Sequence, residues 1–241
     1  MTASATVTGS FLREQLRTPL ALVLLVAIPA FFVLIFATVL GEFSKALGGT
    51  LASSSATAIS AGWAAAFLSG ALGFFQVSSS RGADRRLAAA GLGAARVAAF
   101  RIVAALLLAV VVGAVAFVTL WFRSGIGHPL HAAVAIFAFA AIYIGIGALI
   151  GTFVRGPLEG SLLVMLVFAL DAFTGPQMTS NSGGLGALMP TRRAADLLIA
   201  AGGGHGSPGS DWVGAAAIAA ASLLVALTAF WLAARTRSVW R

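Results

Sequence analysis

Apolar residues along this chain fall into long, nearly unbroken runs, and polar residues gather in short stretches between them. Crossing a hydrocarbon core as a helix takes about 20 consecutive apolar residues. Six runs meet or approach that length, at 19–40, 56–77, 102–122, 130–154, 158–175 and 212–234. The pattern predicts an all-α integral membrane protein, a single transmembrane domain over 1–241 with six spans.

The polar stretches carry the remaining organisation. Over Thr8 to Thr18, Leu12, Leu16 and Leu20 repeat every four residues while Arg13 and Arg17 take the neighbouring face. This predicts an amphipathic helix within 1–18 lying in the membrane interface, or else simply the positive flank of the first span. Pro29 is expected to kink that span and free a backbone carbonyl for its neighbours. Gly41 to Ser55, with Glu42 and Lys45, reads as a short polar loop. Ser69/Gly73 and Gly147/Gly151 are small residues four apart, a spacing that lets helices approach closely.

The segment 78–101 is where charge concentrates, with Arg81, Asp84, Arg85, Arg86, Arg96 and Arg101. It reads as a helix-prone hairpin between two spans, broken at Gly91 and Gly93. Arg123 to His131 and Arg155-Gly156-Pro157 read as turns. The longest connection is 176–211, in which Thr191 is the expected N-cap of a short helix fenced by Pro190 and Gly202. Trp212 and Trp231 are placed like interfacial anchors of the last span.

Composition sharpens this picture. The chain is 60% hydrophobic and 9% charged, against about 25% charged in ordinary soluble domains. Its net charge of +8 follows topology: six spans put both termini on one side, and eleven of the fifteen basic residues fall there. By the positive-inside rule that side is cytoplasmic. Aromatic residues do not interleave with the basic ones and there is no basic soluble domain, so nucleic-acid binding is excluded. Zero cysteines exclude disulfides, thiolate metal sites and thiol redox chemistry. Arginine far outnumbers the single Lys45, as in a GC-rich bacterial genome. The N-terminus lacks the small-residue cleavage site of a secretory signal.

Several local sequences, in order, resemble the permease subunits of type-2 ABC transporters. PLALVLLVAIPAFFVLIFATVLG is similar to the first span of that family, and ADRRLAAAGLGAARVAAFRIV to its cytoplasmic segment after the second. IGTFVRGPLEGSLLVMLVFALDAFTGP is similar to the junction of the fourth and fifth spans, and LMPTRRAADLLIAAGG to the segment on the outer side before the last span. The chain departs from the family where alanines replace the Gly-Thr that commonly follows the acidic-basic start.

The resemblance implies a bacterial cytoplasmic membrane protein with both termini cytoplasmic, acting as the transmembrane subunit of an ATP-driven exporter. It implies a connecting helix at 1–18, a coupling helix at Arg81, Asp84, Arg85, Arg86, Leu87 and Arg96, and a re-entrant outer segment. It also implies two copies of an ATP-binding subunit, a second permease that is identical or homologous, and surrounding lipid. The cargo is expected to be a small amphipathic drug, antibiotic or lipid-like molecule, since the spans offer apolar and aromatic surface with few charges. ATP and Mg belong on the partner, with no cofactor in this chain. In keeping with this, the sequence has no G-x-x-x-x-G-K-[ST], and Lys45 lies in an expected outer loop.

Candidate pathway or gate residues are Asp171, Phe168, Pro190, Arg192 and Arg193. An acid within a span is costly and marks a substrate or proton site by default. Asp171 lies one turn from the Gly175-Pro176 end, where water, Arg192 or Arg193 could instead satisfy it. Glu159, four residues from Arg155, has the spacing of a helix-end ion pair. His128 and His131 form an H-x-x-H without nearby acidic or thiol ligands, so loop histidines rather than a metal site. Phe74, Phe75, Phe100, Phe117, Trp121, Phe137, Phe139 and Phe168 either line a cavity or face lipid and neighbouring helices.

Rival classes fare less well. Phe67 spoils the G-x-S-G of an intramembrane protease at Ser69-Gly70, and the histidines fall in expected loops. Asp84 stands alone, without the clustered aspartates of a phosphatidyltransferase. A proton- or sodium-coupled secondary transporter using Asp171 is the stronger alternative, although the two halves show no repeat. A purely structural membrane subunit is the third.

Overall fold

The protein is described here as a computed structural model covering residues 19–46, 52–79, 82, 86–87, 90–91, 93–154, 156–174, 189–203 and 209–236. Those residues form helices and the turns between them, with no strand among them. In chain order the helices are α1 (Pro19–Ala46), α2 (Ser53–Ser78), α3 (Ala94–Ser124), α4 (Pro129–Phe153), α5 (Pro157–Thr174), α6 (Arg192–Gly203) and α7 (Gly209–Thr236). All but α6 are long and apolar enough to cross a membrane, which gives six candidate spans. The expected amphipathic helix at 1–18, Arg81, Asp84, Arg85, Arg155 and the stretch 175–188 lie outside the described residues.

Several helices overrun their apolar runs. Where a loop is expected from Gly41, α1 continues to Ala46. Glu42 and Lys45 lie on its exposed last turns, joined at 2.8 Å, a spacing at which opposite charges favour helix over loop. α1 also passes through Pro29 as one helix. At the other end of the bundle α3 begins at Ala94, directly after Gly93. Gly91 and Gly93 have φ of 101° and 75°, a region that side chains resist, so the chain breaks there. Arg96 and Arg101, assigned to the hairpin by polarity, therefore belong to the first turns of α3. Arg101 is buried and donates to Gln76 Oε1 on α2 at 3.3 Å.

α2 is the hub. It packs on α1, α3, α4, α5 and α6, and 78% of its most apolar stretch is buried, against 11% for α7. Yet α2 is rich in Ala, Gly and Ser, whereas the exposed positions carry Val23, Phe31, Leu107, Leu162 and Leu224. This inversion follows from the solvent. Lipid tails are as apolar as leucine, so helices gain by close packing rather than by hiding large apolar side chains.

The tightest seam is between α2 and α4. A Cβ on Gly147 would overlap the Gly70 carbonyl oxygen; one on Gly73 would sit 2.5 Å from that of Ile144, and one on Gly151 2.8 Å from that of Phe74. α6 closes one end of the bundle, with Ala194, Ala195, Leu197, Leu198 and Ala201 buried against its neighbours. Gly62 of α2 meets Leu198, and Gly202 meets Ser54 and Ala58, so α6 runs antiparallel to the start of α2. That arrangement carries the N-terminal end of α6 towards the interior.

Candidate functional site

Three helices converge on one carboxylate. Tyr143 lies in the middle of α4, Asp171 in the last turns of α5, and Thr191 immediately before α6. The Tyr143 hydroxyl donates to Asp171 Oδ2 at 2.9 Å. The Thr191 hydroxyl lies 2.9 Å from both Oδ1 and Oδ2. Asp171 is 1% exposed, Tyr143 0% and Thr191 1%, so the whole group is shut off from solvent.

This geometry corrects one expectation. Arg192 and Arg193 do not satisfy Asp171. Arg192 is half-buried, while Arg193 is exposed and pairs with Asp211 of α7 at 2.9 Å. Two hydroxyls are the partners instead, and among the described residues no basic group faces this acid. Thr191 does hold the expected N-cap position directly before α6. Its hydroxyl is turned onto Asp171, while its carbonyl accepts from Ala195 N at 2.8 Å as the helix starts. Pro190, half-buried, precedes it.

An aromatic cluster surrounds the same point. Phe168 lies three residues before Asp171, with its ring centroid 5.4 Å from Trp63, 5.1 Å from Phe67, 6.2 Å from Tyr143 and 6.0 Å from Phe32. Phe139 meets Trp63 at 5.0 Å and Phe36 meets Phe32 at 4.7 Å. Tilted and edge-on contacts dominate, as expected for rings that place positive edges against negative faces. Trp63 is fully buried, and its Nε1 has no hydrogen-bond partner among the described residues.

Of the eight aromatic residues proposed from sequence, only Phe139 and Phe168 belong to this cluster. Phe74 packs with Ile150 and Val164, whereas Phe75, Trp121 and Phe137 are exposed. Trp63, Tyr143 and Thr191 were missed as site residues. A signal existed: Trp63 and the chain's one tyrosine sit inside spans rather than at their ends, away from the interfacial positions those residues usually favour.

The other candidates scatter. Arg86 is exposed, its Nε 3.4 Å from Gly82 O; Leu87 is partly buried and Arg96 exposed. Glu159 is exposed on the first turn of α5. His131 belongs to the first turn of α4 rather than a loop, its ring 4.7 Å from Trp212 and 5.0 Å from His128. No group of three His, Cys, Asp or Glu among the described residues could hold a metal.

Beside Arg193 and Asp211, Asp196 on α6 has its pKa raised, first by burial and then by the Asp211 charge, with Arg192 and Arg193 opposing. An acid that holds its proton more tightly when folded loses stability as pH rises through its folded-state pKa, and the loss vanishes below its unfolded value. Asp196→Asn should therefore raise the melting temperature modestly at about pH 7.5, with the gain shrinking towards about pH 4, the ordinary Asp range. Melts of both proteins across that range test this; a gain that grows in acid contradicts it.

Neither the protein-family models nor the curated proteins compared with this chain include a match to it.

Proposed function

We propose that this chain is the transmembrane subunit of an ATP-driven exporter, moving an amphipathic molecule out of a bacterial cell with a separate ATP-binding partner. The observation that supports this reading is the order of its elements. Six candidate spans are interrupted by one basic, helix-prone segment between α2 and α3, and at the opposite end by the short buried helix α6 between α5 and α7. A large charged segment at one end is suited to receive force from a soluble partner. A buried half-length helix at the other is suited to gate the exit as a re-entrant element. In this reading the hairpin carrying Arg81, Asp84, Arg85, Arg86, Leu87 and Arg96 seats in the ATPase. Asp171, Phe168, Pro190 and Thr191 form the hinge of the outer gate. The protein is a permease, with ATP and Mg bound by the partner and a second permease completing the pathway.

The test is purification of the tagged full chain from its host in mild detergent, with ATP hydrolysis measured on the complex. The double substitution Arg85→Glu, Arg86→Glu is expected to lose the co-purifying ATPase, or to lower cargo-stimulated hydrolysis by about tenfold or more, the scale on which reversed interfacial charges act. Unchanged coupling in that variant would overturn the hairpin's role.

A second reading has one observation in its favour. Asp171 is buried without a basic counter-ion among the described residues, as a proton or sodium carrier site requires. In a secondary transporter, liposomes holding this chain alone would transport on an imposed ion gradient, and Asp171→Asn would abolish it.

A further inference from the structure

We propose that Asp171 and the aromatic cluster between α1, α2, α4 and α5 form a binding site for a lipophilic organic cation. The inference deepens the transport reading by giving its cargo a chemistry, and rests on it only for the step of movement, not for binding.

The carboxylate comes first. It offers about four lone-pair directions, whereas its two hydroxyl partners supply one proton each. No basic residue answers it among the described residues, and the stretch 175–188, GPQMTSNSGGLGAL, contains none. A carboxylate in such surroundings is expensive to ionise unless a cation pairs with it, and otherwise keeps its proton. A cationic ligand would supply that pairing.

The rings define what kind of cation fits. Aromatic faces attract positive charge, more strongly where water is excluded. Trp63, Phe67 and Tyr143 each gather against the ring of Phe168, and Tyr143 also touches the acid directly. A divalent metal ion would want more oxygen ligands than two hydroxyls and one carboxylate provide. An anion would be repelled by Asp171, and a neutral molecule would leave it unpaired. The Trp63 Nε1–H, fully buried and without a partner among the described residues, adds a donor for an ether or carbonyl oxygen on the ligand.

The cluster also has an accessible edge. Phe32, Phe36 and Phe67 are only partly buried, and Phe31 and Ile35 of α1 and Leu166 and Leu170 of α5 are exposed. A cation dissolved in the bilayer reaches the rings there, and the partly exposed side chains swing aside to admit it.

The experiment uses the full chain in nanodiscs of zwitterionic lipid, without nucleotide or partner, and radiolabelled tetraphenylphosphonium as probe. Saturable binding above that of empty discs is expected. Asp171→Asn should weaken it about tenfold or more, a loss of one buried charge pairing. Phe67→Leu, at the partly exposed edge, leaves the acid and its hydrogen bonds intact and should weaken it severalfold. This second variant keeps the test decisive where Asp171→Asn is unstable by thermal melt. Tetraphenylborate, of the same shape and opposite charge, should show no saturable binding. Absence of phosphonium binding, equal affinity in folded Asp171→Asn, or equal binding of the borate would each overturn the site. Cation binding by a chain that co-purifies from its host with no ATPase would sink the exporter reading alone. ATP-coupled transport without cation binding would sink this inference alone.

Discussion

Gly147→Val is expected to prevent recovery of a folded, monodisperse protein. The atom a new Cβ would meet is the carbonyl oxygen of Gly70, part of the backbone of the hub helix, so no side chain can rotate away. Relief would require α2 and α4 to separate along the seam that also includes Gly73 and Gly151. Overpacking typically costs about 1–3 kcal/mol where side chains can adjust, and here only helices can move, so a loss of about 3 kcal/mol or more is expected. Gly41→Ala is the matched control. Nothing lies within 4 Å of a Cβ there, and alanine in a helix gains up to about 1 kcal/mol over glycine. Size-exclusion profiles and melting temperatures in mild detergent read both variants. A Gly147→Val protein that melts with the wild type would show that the seam is looser than described.

Asp171→Leu should be the second severe change, and for a different reason. It removes the acceptor shared by Tyr143 and Thr191, leaving two buried hydroxyls unsatisfied at about 1–3 kcal/mol each. Asp171→Asn keeps a carbonyl acceptor and should cost much less. Combining Asp171→Leu with Thr191→Val should be less damaging than the sum of the single changes, because valine removes one of the stranded donors. Melting temperatures of the two singles and the double decide it. Strict additivity would mean that Thr191 and Asp171 do not act as a pair.

Much of the bundle was legible from the chain. The six spans follow from run length, because a helix must satisfy its own backbone across the hydrocarbon and a fixed thickness needs a fixed number of residues. Gly91 and Gly93 marked the break before α3, since their backbone conformation is one that only glycine adopts freely. The spacing of Gly147 and Gly151 marked a face for close approach. Helix ends were less legible. Polarity at Glu42 and Lys45 read as loop, and at Arg96 and Arg101 as part of a separate hairpin, yet charged residues are compatible with a helix that projects past the apolar layer or pairs along its own surface.

The site divides in the same way. Asp171, Phe168 and Pro190 stood out as an acid in a span, an aromatic one turn away and a proline at a helix start. Asp171 nevertheless looked shallow, because sequence measures depth only along a residue's own helix. Its burial is decided by another segment: Thr191 and the start of α6 fold onto it, and Tyr143 reaches it from mid-α4. Arg193, which looked available from the sequence, pairs with Asp211 instead. Hydropathy, length and glycine spacing are properties of one helix at a time, so the sequence by itself determined the spans and their closest face. Which hydroxyls answer Asp171, and which rings gather around Phe168, depend on how separate helices are rotated against one another. Only the tertiary structure decided that.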